Sequence, residues 1–249
     1  MKKIFGFIGM WLLAMTLCFS FMACSSDDGE EERSEGVNGG PGVNGGGKRL
    51  VSITKIYPLP EGYSEKYEIN VRRFEYDKSG RIVKVIYDDG STTTYEYGET
   101  KIIETTRERS SVYRSEYSLK NGRIVKSISD YAEETYKYDG NKLLNKNTSI
   151  ASTAPYNIIT WDGDNIATWG YVVYIYSSLE SAIGWHDCYN INDMEEVLFN
   201  QGYFGALPRN LVSTASTSAF VESYKYEVND GYVTKKIADN GATTEYVWE

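Results

Sequence analysis

The chain has 249 residues, 41% of them hydrophobic and 14% aromatic, and 26 basic and 35 acidic residues give it a net charge of −9. This acidic balance, without a block of basic residues, argues against binding to nucleic-acid phosphates or electrostatic docking on anionic lipid. The sequence lacks a phosphate-binding loop, a dinucleotide fingerprint, zinc-ligand spacing and a nucleophile elbow. We therefore expect no cofactor, no metal and no enzymatic activity.

The first element in the chain is a short export signal. Two lysines precede an apolar run over residues 4–21, and Ala23 and Cys24 follow closely. This layout resembles a lipoprotein signal peptide with its lipobox. The resemblance implies cleavage between Ala23 and Cys24, removal of residues 1–23, and lipid on Cys24 that attaches the protein to a membrane. The alternative is a retained membrane helix, because the apolar run is nearly long enough to cross a bilayer.

Residues 24–49 form an acidic and then glycine-rich segment, which predicts a flexible tether. The acidic part, residues 25–32, resembles the export tag that sends such lipoproteins to the outer face of the outer membrane. The alternative is an ordinary solvated linker. Without residues 1–23 the chain keeps 24 basic and 35 acidic residues, a net charge of −11. The prediction is a lipid-anchored outer-membrane protein that faces the cell exterior.

From residue 50 onward the chain repeats a short aromatic motif in which two aromatic residues flank one other residue. Between the motifs lie Asn-Gly, Asp-Gly and Ser-Gly pairs, which supply the positive φ angles of tight hairpin turns. Each repeat is therefore predicted to contain two strands and two turns. The motif copies are Phe74-Glu75-Tyr76, Tyr95-Glu96-Tyr97, Tyr136-Lys137-Tyr138, Tyr224-Lys225-Tyr226 and Tyr246-Val247-Trp248.

The segments between turns are rich in Tyr, Thr, Ile and Val and alternate in polarity, as strands do. In residues 91–97, Thr93, Tyr95 and Tyr97 share one predicted face. In residues 81–88 the apolar residues divide less cleanly, which predicts a strand covered on both sides. The pattern predicts an all-β domain over residues 50–249: an antiparallel meander of about fifteen strands that curls into a barrel-like or two-layer sheet.

Two resemblances accompany this pattern. Residues 76–82 (Tyr-Asp-Lys-Ser-Gly-Arg-Ile) resemble the YD, or Rhs-type, repeat, and residues 121–124 match the end of that motif. Most of residues 50–249, including residues 202–205, resembles a family of uncharacterised Bacteroidetes lipoprotein domains with a porin-like fold. The family resemblance implies a barrel but supplies no catalytic residues. One predicted face carries charges, which favours a lipid-tethered sheet over a membrane-spanning pore; they are Glu75, Glu96, Glu134, Lys137 and Lys225.

Residues 177–216 interrupt the repeats and contain one predicted helix near 192–201. Asn192 is a plausible N-cap, and Gly202 is placed where helices commonly end. The insertion is expected either to plug an open end of the sheet or to carry a binding site.

Two groups of polar residues have both a functional and a structural interpretation. His186 and Cys188 would share a face of a strand, which is compatible with a nucleophilic dyad, although a buried structural thiol is the commoner arrangement. Asp162, Asp164 and Asn165 offer oxygen ligands for calcium, but they coincide with a predicted hairpin turn, and the turn explains them better.

The sequence therefore predicts a surface lipoprotein that binds a glycan, another ligand or a partner protein. Trp161, Trp169 and Trp185 are the candidate contact residues, because exposed aromatic rings stack on sugars. A structural role in envelope assembly is the alternative. A glycan hydrolase is the third hypothesis, and it would require two carboxyl groups converging in an open cleft.

Overall fold

The computed structural model describes residues 47–149, 158–186 and 193–249. The predicted signal peptide, Cys24 and most of the tether lie outside these residues, as do Cys188 and Asn192.

The described residues form sixteen antiparallel strands in one sheet, in which each strand pairs with its neighbours in the chain. This confirms the predicted all-β meander, and the sheet curls into a nearly closed barrel rather than two layers. The strands are β1 Leu50–Pro58, β2 Tyr67–Tyr76, β3 Ile82–Tyr87, β4 Thr92–Tyr97, β5 Lys101–Glu108, β6 Ser111–Lys120, β7 Arg123–Ser129, β8 Glu133–Asp139, β9 Lys142–Thr148, β10 Ile159–Asp162, β11 Asn165–Trp169, β12 Val172–Glu180, β13 Asn210–Ser216, β14 Val221–Asn229, β15 Tyr232–Ala238 and β16 Thr243–Trp248.

Two contacts close the barrel: one between the first and last strands, and one between the consecutive strands β9 and β10. The first and last strands pair along six positions, from Leu50 with Trp248 to Ile56 with Thr243. Strands β9 and β10 meet more loosely, through a backbone bridge between Asn145 and Ile158.

The barrel has two different ends. We call the end where β1 begins and β16 finishes the sealed end, and the opposite end, where β1 finishes at Pro58, the open end. Residues 77–81, 121–122 and 230–231 are turns at the sealed end, while residues 88–91, 109–110 and 130–132 are turns at the open end.

An aromatic belt lines the barrel wall near the sealed end and explains the repeated motif. The second aromatic residue of each copy donates its side-chain hydrogen to a backbone carbonyl on the preceding strand, over 2.5–2.8 Å. Strand β6 is the exception, since Leu119 occupies its belt position. The belt pairs are Tyr76–Leu50, Tyr97–Ile82, Tyr138–Ile124, Trp161–Leu143, Tyr176–Ile166, Tyr226–Val212 and Trp248–Val233.

Each belt carbonyl lies immediately before an extra residue in its strand, a β-bulge. In β3, for example, Tyr76 pairs with Ile82 while Glu75 pairs with Lys84, so Val83 is left out of the ladder. The bulge removes a backbone group from regular pairing, and the aromatic donor supplies a partner for the adjacent carbonyl. The same arrangement recurs at Val51, Val125, Leu144, Ala167, Ser213 and Thr234.

The bulge corrects the prediction for the strand at residues 81–88. Ile82 and Val85 are both buried, at 1% and 0% exposure, although they are three residues apart. Because the bulge at Val83 shifts the alternation by one residue, both side chains face the interior. The outer face of β3 is therefore not covered, and the mixed sequence pattern reflects the bulge.

The insertion between β12 and β13 plugs the sealed end from inside. It contains a short 3-10 turn, Ser181–Ile183, and one helix, α1, Asp193–Asn200, close to the predicted 192–201. The strands on either side reach Glu180 and begin again at Asn210, so the non-repeating part is narrower than 177–216.

Helix α1 ends as predicted and packs its apolar side chains into the barrel. Gly202 has a φ of 78°, and the Tyr203 and Gly202 amides donate to Leu198 and Phe199, which is a Schellman ending. Val197, Leu198 and Phe199 are at most 1% exposed. The chain then contacts the sealed-end wall, where the Ile124 amide donates to the Tyr203 carbonyl.

The outer face of the barrel carries charged side chains and ion pairs, including Lys84–Glu75, Lys126–Glu133 and Lys235–Glu245. Of the charges predicted to share one face, Glu75, Glu96, Lys137 and Lys225 are exposed. Glu134 is the exception: it has the same strand parity as the buried Tyr136 and therefore faces the interior. Within the described residues, no helix is long and apolar enough to cross a membrane.

Candidate ligand-binding cavity

Within the part of the chain that the structure describes, two cavities lie inside the barrel at its open end. The larger cavity has a volume of about 550 Å³ and lies against β1 to β5. The smaller cavity, about 460 Å³, lies against β5 to β8 and has Glu195 of α1 in its wall. Thr106 and Glu108 line both, so the two cavities share a wall on β5.

The smaller cavity combines carboxyl groups, hydroxyl groups and aromatic rings. Alternation along β5, β6 and β7 points every second side chain inward and gives the cavity its polar wall. Its acidic residues outnumber its single basic residue, Arg114. The lining residues are Glu104, Thr106, Glu108, Tyr113, Arg114, Ser115, Tyr117, Ser127, Ser129, Asp130, Tyr131, Ala132, Glu134 and Glu195.

Two tyrosines form an aromatic rim at the mouth of the smaller cavity. The rings of Tyr113 and Tyr131 lie with centroids 6.2 Å apart and planes tilted by 40°. Tyr131 is 70% exposed, in the turn between β7 and β8. The Ser129 side chain accepts hydrogen bonds from the Tyr131 and Ala132 amides and so fixes that turn. Unlike the belt aromatics, these rings are available to a ligand.

A buried ion cluster joins the plug to the wall beneath the rim. Lys146 of β9 contacts Glu195 at 2.8 Å and Glu134 at 3.2 Å. The Tyr136 hydroxyl lies 2.9 Å from both carboxylates. Burial raises the pKa of Glu195, although Lys146 opposes the shift. Burial alone would lower the pKa of Lys146, but the two carboxylates raise it, so the lysine holds its charge.

Glu104 is the other carboxyl group at the cavity floor. It is 1% exposed, and its Oε2 accepts a hydrogen bond from the Tyr117 hydroxyl over 3.3 Å. Burial raises the pKa of Glu104 to about 7, with a smaller contribution from the negative charge of Glu195, while the Tyr117 hydrogen bond opposes the shift. Near neutral pH this carboxyl group therefore takes up or releases a proton.

The larger cavity is bounded by a second buried ion pair. Arg72 of β2 lies 3.2 Å from Glu196 of α1, and both side chains are at most 5% exposed. The indole nitrogen of Trp185 donates to the same carboxylate. This pair fixes α1 to the wall on the side opposite Lys146. Lys55, Asp88 and Asp89 also line this cavity.

The three tryptophans predicted as ligand contacts lie away from both cavities. Trp169 and Trp185 are buried in the core, at 3% and 5% exposure. Trp161 is partly buried in the aromatic belt, where its indole nitrogen donates to the Leu143 carbonyl. None of the three lines either cavity. Trp169 packs against Phe199 and Trp185 against Phe74, while Trp161 belongs to the belt.

The remaining predicted sites have structural explanations where the chain is described. His186 is 2% exposed and packs edge-on against Phe199. Burial lowers the pKa of His186 to about 4, against an opposing hydrogen bond to the Pro208 backbone, so the ring is neutral at pH 7. Cys188 lies outside the described residues, so the dyad has no described geometry.

The residues considered as possible calcium ligands form a hairpin turn, the interpretation that the sequence favoured. Asp162 pairs with Asn165 at the end of β10, and Gly163 between them has a φ of 54°. Asp164 lies 3.8 Å from Lys142. No group of three or more metal-binding side chains occurs among the described residues.

Sequence reasoning missed the residues that form the cavity. Tyr113 and Tyr131 belong to no copy of the repeat. An aromatic residue in the polar turn Ser129-Asp130-Tyr131-Ala132 was the one sequence feature that indicated an exposed ring. Glu104 lies two residues after the buried Ile102, so strand parity places it inside. The sequence does not show which face of β5 points inward, because the neighbouring isoleucines Ile102 and Ile103 break the alternation of apolar and polar residues.

Comparison with known proteins supports the fold. The chain is similar to a porin-like protein from Bacteroides uniformis ATCC 8492, with 17% identity, a TM-score of 0.62, and coverage of 80% of this chain and 98% of that one. It is also similar to a porin-like protein from Bacteroides vulgatus ATCC 8482, with 13% identity, a TM-score of 0.51 and the same coverages. No protein-family model and no curated protein matches the sequence. At these identities the likeness shows that the chain shares the barrel fold of these porin-like proteins.

Proposed function

We propose that this protein is a barrel anchored by lipid to the outer membrane and exposed on the cell surface. We further propose that it binds a saccharide in the smaller cavity without acting on it chemically. The main support is structural: the exposed rim of Tyr113 and Tyr131 lies above a cavity lined by carboxyl and hydroxyl groups. A volume of about 460 Å³ lies within the range of small-ligand sites.

The chemistry of this cavity complements a sugar ring. A pyranose has apolar C–H faces, which pack on aromatic rings, and equatorial hydroxyls, which bond to carboxylates and hydroxyls. Tyr113 and Tyr131 offer the ring faces, while Glu134, Ser127 and Ser129 offer polar partners on the adjoining wall. A purely apolar ligand would displace water from these polar groups without offering a hydrogen bond in return, at a cost in binding free energy.

The plug supports capture rather than passage through the barrel. Helix α1 and residues 201–206 fill the sealed half, where the Ala206 amide donates to the Asn141 carbonyl and Gln201 contacts the Ile82 amide and the Tyr97 hydroxyl. A ligand entering at the open end therefore meets a floor made by Glu195 and Glu104.

The position at which the chain enters β1 supports an arrangement in which the open end faces away from the membrane. The Lys48 amide donates to the Tyr232 hydroxyl and the Lys48 ammonium contacts Asp230, so the segment before β1 joins the barrel at the sealed end. A lipid anchor on Cys24 would attach there and leave the mouth of the cavity unobstructed. Ion pairs on the outer face, such as Lys84–Glu75, favour contact with water, because charges facing lipid are destabilising.

The binding test uses purified protein lacking residues 1–23 and a panel of soluble oligosaccharides in isothermal titration calorimetry. We expect at least one saccharide to bind, and the double variant Tyr113→Ala/Tyr131→Ala to weaken its binding at least tenfold. Tyr63→Ala is the matched control, because Tyr63 is 66% exposed but lines neither cavity. Equal loss in the control, or binding unchanged in the double variant, would contradict the proposed site.

A hydrolase is the second candidate, favoured by the convergence of Glu104, Glu134 and Glu195 on one cavity. Glycosidases use two such carboxyl groups, one as the acid. Lys146 pairs with both Glu134 and Glu195, which leaves neither as a free base or nucleophile. We therefore expect no new reducing ends when bound oligosaccharides are incubated with the protein, and turnover that Glu104→Gln abolishes would establish the hydrolase instead.

A further inference from the structure

The buried carboxyl groups in and near the cavities differ in their partners. Glu196 pairs with Arg72, and Glu195 pairs with Lys146. Glu104 is as deeply buried as either, at 1% exposure, and it lines the smaller cavity. Among residues 47–149, 158–186 and 193–249, no basic side chain pairs with it, and its contacts are to tyrosine hydroxyls.

An unpaired buried carboxylate is costly, and proteins usually supply it with a cation or keep it protonated. The barrel supplies such a cation twice, from β2 and β9, but not on the wall that the smaller cavity exposes. Arg114 lines that cavity but shows no ion pair with Glu104. A ligand in the cavity is therefore the remaining source of a positive charge for this group.

We propose that the ligand of the smaller cavity is an amino sugar, a saccharide bearing a protonated amine, and that its ammonium group pairs with Glu104. This inference rests on the proposed saccharide function and specifies the class of sugar. The charge of the cavity lining also favours a cation, because it has one basic residue, Arg114, and five acidic ones: Glu104, Glu108, Asp130, Glu134 and Glu195. The tyrosine rim holds the ring faces while the floor holds the charge.

Binding of an ammonium group would be linked to proton release. Without ligand, the raised pKa of Glu104, about 7, keeps part of the population protonated at neutral pH. A cation at contact distance favours the ionised form and lowers that pKa. The titratable groups that face Glu104 are Tyr95 of β4, Tyr117 of β6 and Glu195 of α1. The two tyrosines stay neutral because burial raises their pKa values further.

The test compares three β-1,4-linked disaccharides that differ only at the second carbon of each ring, which carries a hydroxyl, an acetamido or an ammonium group. We expect calorimetry at pH 7 to show the ammonium form binding at least tenfold more tightly than the other two. Titrations in buffers of different ionisation enthalpy should show that this form alone releases a proton on binding.

Glu104→Gln is the matched variant, since an amide keeps the shape but removes the charge. It should reduce the preference for the ammonium form to less than twofold and abolish proton release. Glu116→Gln on the outer face of β6, which also loses one charge, should keep both. Thermal unfolding checks that each variant is folded.

The outcomes separate this inference from the proposed function. Equal binding of all three disaccharides overturns the amino-sugar assignment, and a preference that survives in Glu104→Gln overturns the pairing with Glu104. Both results leave saccharide binding intact. Binding of none of the three, while another saccharide of the panel binds, also overturns the amino-sugar assignment alone, and binding of no saccharide at all overturns both.

Discussion

The sealed and open halves of the barrel are built from the same strands but show opposite chemistry. In the sealed half, belt aromatics satisfy backbone carbonyls and α1 fills the interior with Leu198 and Phe199. In the open half, the same strands carry Glu104, Thr106 and Ser127 inward around unfilled space. The difference indicates that apolar packing is concentrated at one end, which leaves the other end free for polar groups that line a cavity.

This comparison first predicts unequal costs of removing an aromatic ring. Phe199→Ala, in the sealed half, should lower the free energy of unfolding by about 3–5 kcal/mol, because Phe199 is 1% exposed and packs against Trp169 and His186. Tyr131→Ala, at the open end, should change it by about 0.5 kcal/mol or less. Urea unfolding measures both, and similar losses would contradict the division between the halves.

The second prediction concerns the boundary between the halves, where Arg72 and Glu196 pair. Arg72→Met should cost about 3–5 kcal/mol of unfolding free energy, because it leaves the Glu196 carboxylate buried without its cation. The double variant Arg72→Met/Glu196→Gln should recover part of this loss, since no charge then remains buried. Chemical denaturation provides the measurement. No recovery in the double variant would mean that the arginine acts through packing alone.

The third prediction is a pH dependence originating at the open end. The pKa of Glu104 is raised in the folded protein from 4.5 to about 7, so the folded state binds the proton more tightly than the unfolded state. This tighter proton binding adds to the free energy of unfolding. The added amount is present in full below pH 4.5 and is lost as the pH rises to about 7. The loss is on the order of 3 kcal/mol.

Glu104→Gln should remove this contribution. Its free energy of unfolding relative to the wild type should therefore rise between pH 4.5 and 7, and then level off. Urea unfolding at a series of pH values gives the difference curve, with Glu116→Gln as the control. A difference that is flat across this range would show that Glu104 has an ordinary pKa.

The smallest predicted effect concerns the belt. Tyr138→Phe removes the hydroxyl that donates to the Ile124 carbonyl and should cost about 1–3 kcal/mol, the usual penalty for an unsatisfied buried acceptor. Tyr113→Phe at the open rim should cost almost nothing, because that hydroxyl can bond to water. Thermal unfolding of the pair compares them, and an equal shift would argue against a structural role for the belt bonds.

The sequence predicted the fold well because the sealed half repeats. Paired aromatics such as Tyr95 and Tyr97, two residues apart on one face, together with glycine turns, specify hairpins locally and were sufficient for a meander. Closure could not be predicted, since it depends on the pairing of β1 with β16, at opposite ends of the described chain. The bulge at Val83 was also hidden, because a bulge changes strand parity without a distinctive residue.

The cavity was much less predictable than the fold, for a related reason. Its residues depart from the repeat, and no local pattern brings Glu195 of the insertion beside Glu134 of β8. The tryptophans were chosen as ligand contacts because their rings suit sugars, yet Trp169 and Trp185 are in the core. Large aromatics in this chain serve packing wherever the repeat places them, and only aromatics outside the repeat, such as Tyr131, are left for the surface.

Amide chemical-shift mapping during titration with the ammonium disaccharide observes both ends of the barrel at once and therefore shows at which end the ligand binds. We expect shifts at the open end, in β5 to β8 and residues 129–132, with little change at sealed-end turns such as Gly80 and Gly122. Shifts concentrated at the sealed end or on the outer face would place binding elsewhere and contradict the division of the barrel into a structural end and a binding end.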